Sequence, residues 1–285
     1  MSKLILGTAQ FSPNYGITNR IGTLKQKSIN NILELYKKKN LNFIEISASY
    51  KNAINKLIRT KNTKNLKYIF KINFTSLIKK NSSKQIDCIK KYQKKLKVKT
   101  FDYLLIQNFD KYSKKKDIFN EIQRLSKNLK SLGLIKNLGI STYKFYNINF
   151  LKKLKIDSVQ LPFSIFDQRL IKKNYHKNLK KNKIKIFVRS IFLQGILLEN
   201  FNDIKSKFYK YKKYFLRLER FCEKKKLSKI EACICYVKKF REIEGIVIGA
   251  LNADQLDQSI KSSKKRILIN FKPVNKNKLI NVLLW

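Results

Sequence analysis

The stretch KKKDIFNEIQRLSKNLKSLGLIKNLGI, residues 114–140, holds the unit from which the fold is read. Its first part carries Ile118, Ile122, Leu125 and Leu129 at three- and four-residue spacing, which predicts a helix over Lys114 to Leu132 with one apolar face. Gly133 stands where that helix must end, because a residue without Cβ takes the left-handed turn of a helix C-terminus freely. The short apolar run Ile135 to Ile140 then predicts a strand.

Outward from this unit the same alternation continues in both directions. Further strand candidates are Leu4 to Thr8, Asn42 to Ile46, Tyr68 to Ile72, Tyr103 to Ile106, Ser158 to Leu161, Ile184 to Val188 and Gly245 to Ile248. Lys25 to Lys39, Ser83 to Leu96 and Ser228 to Phe240 read as helices, the last opened by a Ser228/Glu231 capping box. Strands apolar on both faces belong to a parallel sheet covered by helices. Eight strand-helix units in 285 residues fit a closed eight-stranded parallel (β/α)8 TIM barrel better than an open doubly wound sheet. No Pro/Gly/Ser-rich linker interrupts the chain, so one domain over residues 1–285 is expected. Asn200 to Leu227, after strand 7, is longer than a crossover needs and reads as a loop plus an extra helix, expected as a lid over the site.

Composition bounds the function without deciding it. Lys and Arg number 65 against 18 Asp and Glu, a formal net charge of +47. Such a balance invites a polyanion partner, because neutralised phosphates release counterions. Yet the lysines are spread through nearly every polar segment alongside Asn and Ile, all residues of AT-rich codons, and no nucleic-acid-binding motif accompanies them. Compositional drift with solvated lysine faces is the reading preferred here, and nucleic acid is not the expected partner. The N-terminus lacks the apolar core of a secretory signal, and no apolar run reaches the ~20 residues of a membrane span. The expected compartment is the cytoplasm. Cys88, Cys222, Cys233 and Cys235 are scattered and far from the one histidine, His176, which lies in the charged segment Lys172 to Lys181 and reads as surface. Cys233 and Cys235 diverge by about 200° on a helix, so no metal site is expected. Trp285 reads as an anchor for the tail.

In a barrel of this kind the site lies at the C-terminal ends of the strands. Those ends carry Gly7, Thr8 and Gln10; Glu45, Ser47 and Tyr50; Lys71 and Asn73; Gln107 and Asn108; Ser141 and Thr142; Gln160; then Arg189 and Ser190. Tyr50, Lys71 and Glu45 form a coherent chemical group: a lysine lowers the pKa of a nearby phenol, a carboxylate fixes the lysine, and the phenol can protonate a developing alkoxide.

These stretches together resemble the aldo/keto reductase family: Leu6-Gly7-Thr8-Ala9-Gln10, Phe43-Ile44-Glu45 running to Tyr50, Phe70-Lys71, and Asp102-Tyr103-Leu104-Leu105-Ile106. Gly133 to Ser141, Val159-Gln160-Leu161-Pro162-Phe163 with Asp167-Gln168-Arg169, Arg189 to Gly195, and Ile248-Gly249-Ala250 with Gln255-Leu256 follow in family order. The resemblance implies hydride transfer between NADP(H) or NAD(H) and an aldehyde, ketone or sugar carbonyl. It makes Tyr50 the proton donor, Lys71 the residue that tunes it, and Glu45 the occupant of the family's aspartate position. Gln107 stands where the family has histidine, and its amide can still donate to a carbonyl oxygen.

For the cofactor, the resemblance implies a binding set of Gly7, Thr8, Ser141, Thr142, Gln160, Arg189, Ser190, Gly249, Ala250 and Gln255. Ser141 and Gln160 would hold the nicotinamide carboxamide and Ser190 would lie near the pyrophosphate. Arg189 replaces a stacking aromatic residue, Thr142 an asparagine and Ser259 an adenine-contacting asparagine. Gly249, Ala250 and Gln255 replace phosphate-gripping residues, leaving Lys261 or Lys264 as sources of charge and NADPH versus NADH open. Two other readings remain beside this one. The substitutions at 45, 107, 142, 249 and 259 suggest a reductase fold that has lost turnover and binds a nucleotide or partner; the lysine-rich surface suggests a polyanion-binding protein. Substrate identity and oligomeric state are not legible.

Overall fold

The computed structural model describes residues 2–50, 52–60, 63, 65–77 and 81–285. Eight strands form: β1 (Lys3–Gly7), β2 (Phe43–Ser47), β3 (Lys67–Asn73), β4 (Tyr103–Gln107), β5 (Leu138–Ser141), β6 (Ser158–Pro162), β7 (Lys185–Arg189) and β8 (Ile243–Ile248). Each pairs in parallel with the next and β8 pairs with β1, closing the barrel. Helices ring it, including Gln26–Lys38, Ser82–Leu96, Ile118–Ser131, Lys229–Lys238 and Ala253–Lys264.

The opening stretch behaves as its pattern dictates. Ile118, Ile122, Leu125 and Leu129 are the buried face of their helix. Gly133 ends it at φ +65°, with the amides of Leu134 and Gly133 returning to the carbonyls of Leu129 (3.0 Å) and Lys130 (2.9 Å). The following strand starts later than its apolar run: Ile135 makes only an isolated bridge to Phe101, and the ladder begins at Leu138. The capping box at Ser228 and Glu231 is present.

Alternation along the strands sorts the side chains into two layers. Residues such as Leu4, Leu6, Ile44, Ile46, Phe70 and Ile106 pack outward into the large helix-covered cluster. Ile5, Ile69, Tyr103, Leu105 and Phe187 form a separate cluster inside the barrel. Gly139 and Gly245 make room for it: a Cβ on Gly139 would lie 2.8 Å from Leu105, and one on Gly245 2.9 Å from Phe187. Two residues further along each strand from this layer come Gly7, Lys71, Gln107 and Arg189, so the same inward face delivers polar groups to the C-terminal mouth.

Two expectations need correction. The segment after β7, with the helix Lys212–Lys224, is no lid: Phe215 lies 5.7 Å from Phe166 and Phe221 5.4 Å from Phe271, holding it on the flank, and none of residues 200–227 lines the mouth cavity. The mouth is walled instead by residues 15–19 after β1, tied to the loop after β7 by Thr18 Oγ1 donating to Gln194 O at 3.2 Å. His176 is buried (5% exposed), because it shares a helix face with buried Leu179 and sets its ring edge-on to Phe240 at 5.5 Å. Trp285 does anchor the tail, against Phe208 at 5.0 Å. Cys222, Cys233 and Cys235 are buried free thiols, and no metal-binding cluster occurs among the described residues. No helix among them is long and apolar enough to cross a membrane.

Candidate active site

Strand register places the polar residues beside one another. Gly7 is opposite Glu45, Ser47 opposite Lys71, Asn73 opposite Gln107 and Ser141 opposite Gln160. Gly7, Glu45, Lys71, Asn73, Gln107 and Ser141 line a cavity of about 850 Å³ at the C-terminal mouth, within the range of small-molecule and cofactor pockets.

At its floor Lys71 Nζ forms an ion pair with Glu45 and donates to Tyr50 Oη at 2.6 Å. The pair is deeply enclosed, with the Lys71 side chain 7% and the Glu45 side chain 2% exposed. Gln160 Nε2 donates to Glu45 Oε1 at 3.4 Å, and Ser141 Oγ donates to Gln160 Oε1 at 2.9 Å. Thr8 braces the end of β2 by donating from both N and Oγ1 to Glu45 O at 3.0 Å. The Tyr50 hydroxyl lies 3.4–3.5 Å from the Glu45 oxygens, a long contact that leaves its proton loosely held. Burial, then the charge of Glu45, holds the Tyr50 phenol well above its ordinary pKa. The net shift is upward, where a neighbouring lysine alone is expected to lower a phenol, and burial is its first cause. Tyr50 is a neutral phenol at physiological pH.

Gln107 is engaged on every side. Its Nε2 donates to Ser49 Oγ and Asn73 Oδ1, both at 2.7 Å, and its Oε1 accepts from Ser47 Oγ at 3.1 Å. Asn108 Nδ2 also donates to Asn73 Oδ1 at 3.0 Å. Gln107 can therefore donate to a guest only by exchanging one of these partners, Ser49 being the one on the cavity wall that is not a strand residue.

A second constellation joins the loops after β4 and β5 with the end of β7. Asp110 accepts from Thr142 Oγ1, from Tyr143 N at 3.0 Å and from Tyr146 Oη at 2.8 Å. Arg189 lies over the Tyr143 ring, 3.9 Å from its centroid, and donates to Thr142 O at 3.2 Å.

Of the residues expected from the sequence, Gly7, Glu45, Tyr50, Lys71, Gln107, Ser141, Arg189, Ser190, Gly249 and Gln255 line the cavity. Thr8, Thr142, Gln160 and Ala250 stand behind it, so their side chains act on its walls rather than on a guest. Tyr15, Ser49, Asp110 and Tyr143 were not singled out from the sequence; Tyr15 sets its ring 6.3 Å from that of Tyr50. They come from loops, where no periodicity marks them. Gly249 supplies an open floor on which the Gln10 carboxamide rests, a flexible group that a guest can displace.

This is a polar, ionisable pocket at the C-terminal mouth of a (β/α)8 barrel, and sequence comparison identifies the class. Residues 3–270 match the model of the aldo/keto reductase family, and the chain belongs to that family of oxidoreductases. Two solved structures designated aldo-keto reductases from Pseudomonas aeruginosa superpose with TM-scores of 0.65 and 0.63; in both the identity is 14%, covering 92% of this chain and 89% of theirs. At that identity the likeness is one of fold. No curated protein matches the sequence.

Proposed function

We propose that this protein reduces the carbonyl group of an aldehyde, ketone or sugar, with Tyr50 as the proton donor and NADPH or NADH as the reductant. The single observation that carries the reading is the enclosed Glu45–Lys71–Tyr50 chain, in which the Lys71 ammonium bridges a carboxylate and a neutral phenol at the cavity floor. The residues fit a nicotinamide dinucleotide. Ser141 and Ser190 at one part of the cavity and Gly249, Gln255 and Ser259 at another would hold it, with the bare Gly249 leaving a cradle. When bound, the reduced cofactor supplies a hydride to the carbonyl carbon. Tyr50 then passes its hydroxyl proton to the carbonyl oxygen, and solvent restores it. Lys71, donating to Tyr50 Oη, stabilises the phenolate as the proton leaves, which makes a high-pKa phenol usable as an acid. Glu45 holds Lys71 in place through their ion pair. General acid catalysis of this kind contributes roughly 10²- to 10⁴-fold.

The wall formed by Gly249, Leu251, Gln255, Gln258 and Ser259 holds no cation, which supports a small discrimination between the two cofactors. The test is titration of the full chain with NADPH and NADH by fluorescence quenching, followed by a carbonyl screen with wild type and Tyr50→Phe. Saturable binding, with turnover lost in Tyr50→Phe and binding retained, is the expected result. Turnover unchanged in Tyr50→Phe refutes the assignment of the donor.

A further inference from the structure

The charged groups of the cavity are unequally satisfied. Its three carboxylates all have partners: Glu45 has Lys71, Asp110 has Thr142, Tyr143 and Tyr146, and Glu199 has Arg20 at 3.1 Å. Lys71 is spent on Glu45, and Lys111, which also lines the cavity, is exposed to solvent. Arg189 forms no ion pair among the described residues, and of the five N–H donors of a guanidinium only one has a protein acceptor, Thr142 O. The group is nonetheless fixed. It ends β7, its face lies on Tyr143, and Tyr143 and Thr142 are themselves pinned by Asp110. Its charge reaches the reacting end of the pocket, where it opposes the rise of the Tyr50 pKa.

A planar guanidinium, stacked on one face, held at one corner and presenting its remaining edge to a cavity, is a fork for a carboxylate or phosphate. We propose that the substrate reduced here carries an anionic oxygen group, a carboxylate or a phosphate, which Arg189 binds in the cavity that Tyr50 lines. The inference rests on the carbonyl-reductase reading above and names its substrate class. It distinguishes Arg189, half-buried and fixed by Tyr143 and Thr142, from the exposed lysines spread over the surface.

The test compares carbonyl pairs that differ in the anion: succinic semialdehyde with butanal, and glyceraldehyde 3-phosphate with glyceraldehyde, at matched ionic strength and saturating cofactor. Wild type should favour at least one anionic member in kcat/KM by on the order of tenfold to a hundredfold, the size charge-assisted hydrogen bonds supply. Arg189→Gln should bring that ratio towards one, and Arg189→Lys, which keeps charge but loses the fork, should fall between. A wild-type ratio near one for both pairs, or a preference that survives in Arg189→Gln, overturns the proposal. A tenfold rise of the cofactor Kd in Arg189→Gln with the ratio intact also overturns it, and assigns the guanidinium to a cofactor phosphate. If neither cofactor binds, the reductase reading fails and the anion site is judged alone. Succinate, followed by line broadening of its proton signal, should then bind wild type more than Arg189→Gln; equal broadening in both leaves only surface lysines and sinks the site.

Discussion

Replacing Glu45 by Gln removes one charge from the most enclosed ion pair among the described residues and leaves the rest of the side chain in place. Glu45 and Lys71 expose 2% and 7% of their side chains, so solvent cannot take over the role of the lost partner. Deleting one member of a buried pair costs about 3–5 kcal/mol, mostly because the other charge stays buried and uncompensated. In a chain of this size each kcal/mol moves Tm by about 2–4 °C, so Glu45→Gln should lower it by roughly 6–20 °C. The double variant Glu45→Gln/Lys71→Met removes both charges and should recover much of that loss, with a coupling of up to about 3 kcal/mol in the cycle. The assay is urea and thermal unfolding of the four proteins followed by far-ultraviolet circular dichroism. An effect of Glu45→Gln within about 0.5 kcal/mol of wild type, the size of an inert surface change, or strict additivity in the cycle, refutes the claim that the pair is desolvated and coupled.

Four further outcomes follow from the same coordinates. Gly139→Ala would drive a Cβ into the Ser158 carbonyl and hydroxyl and to 2.8 Å from Leu105 inside the barrel; a loss of about 1–3 kcal/mol or more is expected, and an unchanged urea midpoint contradicts the packing. Because burial and Glu45 raise the Tyr50 pKa, its proton persists above pH 10: the pH difference spectrum of wild type minus Tyr50→Phe near 295 nm should show no phenolate below that pH, and an absorbance step near pH 8–9 refutes it. Burial pushes the Cys222 thiol up to about 11 and raises Cys233 and Cys235 as well, while Cys88 is half-exposed; native protein should therefore offer a disulfide reagent one fast thiol, and several fast thiols contradict the burial. Ser49→Ala frees one Gln107 N–H that now points at a hydroxyl; if Gln107 assists the carbonyl, kcat/KM should rise severalfold, and a fall would show that Ser49 itself serves the substrate.

The barrel was legible because each strand is a short apolar run and each helix repeats its apolar residues at helical spacing, so all eight strands fall where the sequence places them. Boundaries moved where an apolar residue serves something other than the ladder, as Ile135 does. The site residues Glu45, Lys71, Gln107, Ser141 and Arg189 were legible for a related reason: each is an inward position next in line after a barrel-core layer, where a polar residue interrupts an apolar pattern. Tyr15, Asp110 and Tyr143 carry no such mark, since a loop has no period and their partners are distant in sequence. His176 misled because its flanking lysines advertise solvent, while the ring itself follows the Leu179 face inward. The lid was misplaced on length alone; length says that a segment needs room, and the aromatic contacts of Phe215 and Phe221 decide where.

The departures from the family pattern also bear on whether this is a decayed enzyme. A site released from its task accumulates substitutions independently, and buried polar groups there lose their partners one at a time, each orphan costing about 1–3 kcal/mol. Here the substitutions are matched. Gln107 has Ser47, Ser49 and Asn73; Thr142 has Asp110; Glu45 has Lys71. Among the described residues, buried polar atoms without a partner occur at positions such as Tyr68, Ser158 and His176, and at none of these site residues. Mutual satisfaction of Glu45, Gln107 and Thr142, from β2, β4 and the loop after β5, leaves the changed pocket without an orphaned polar group at these positions.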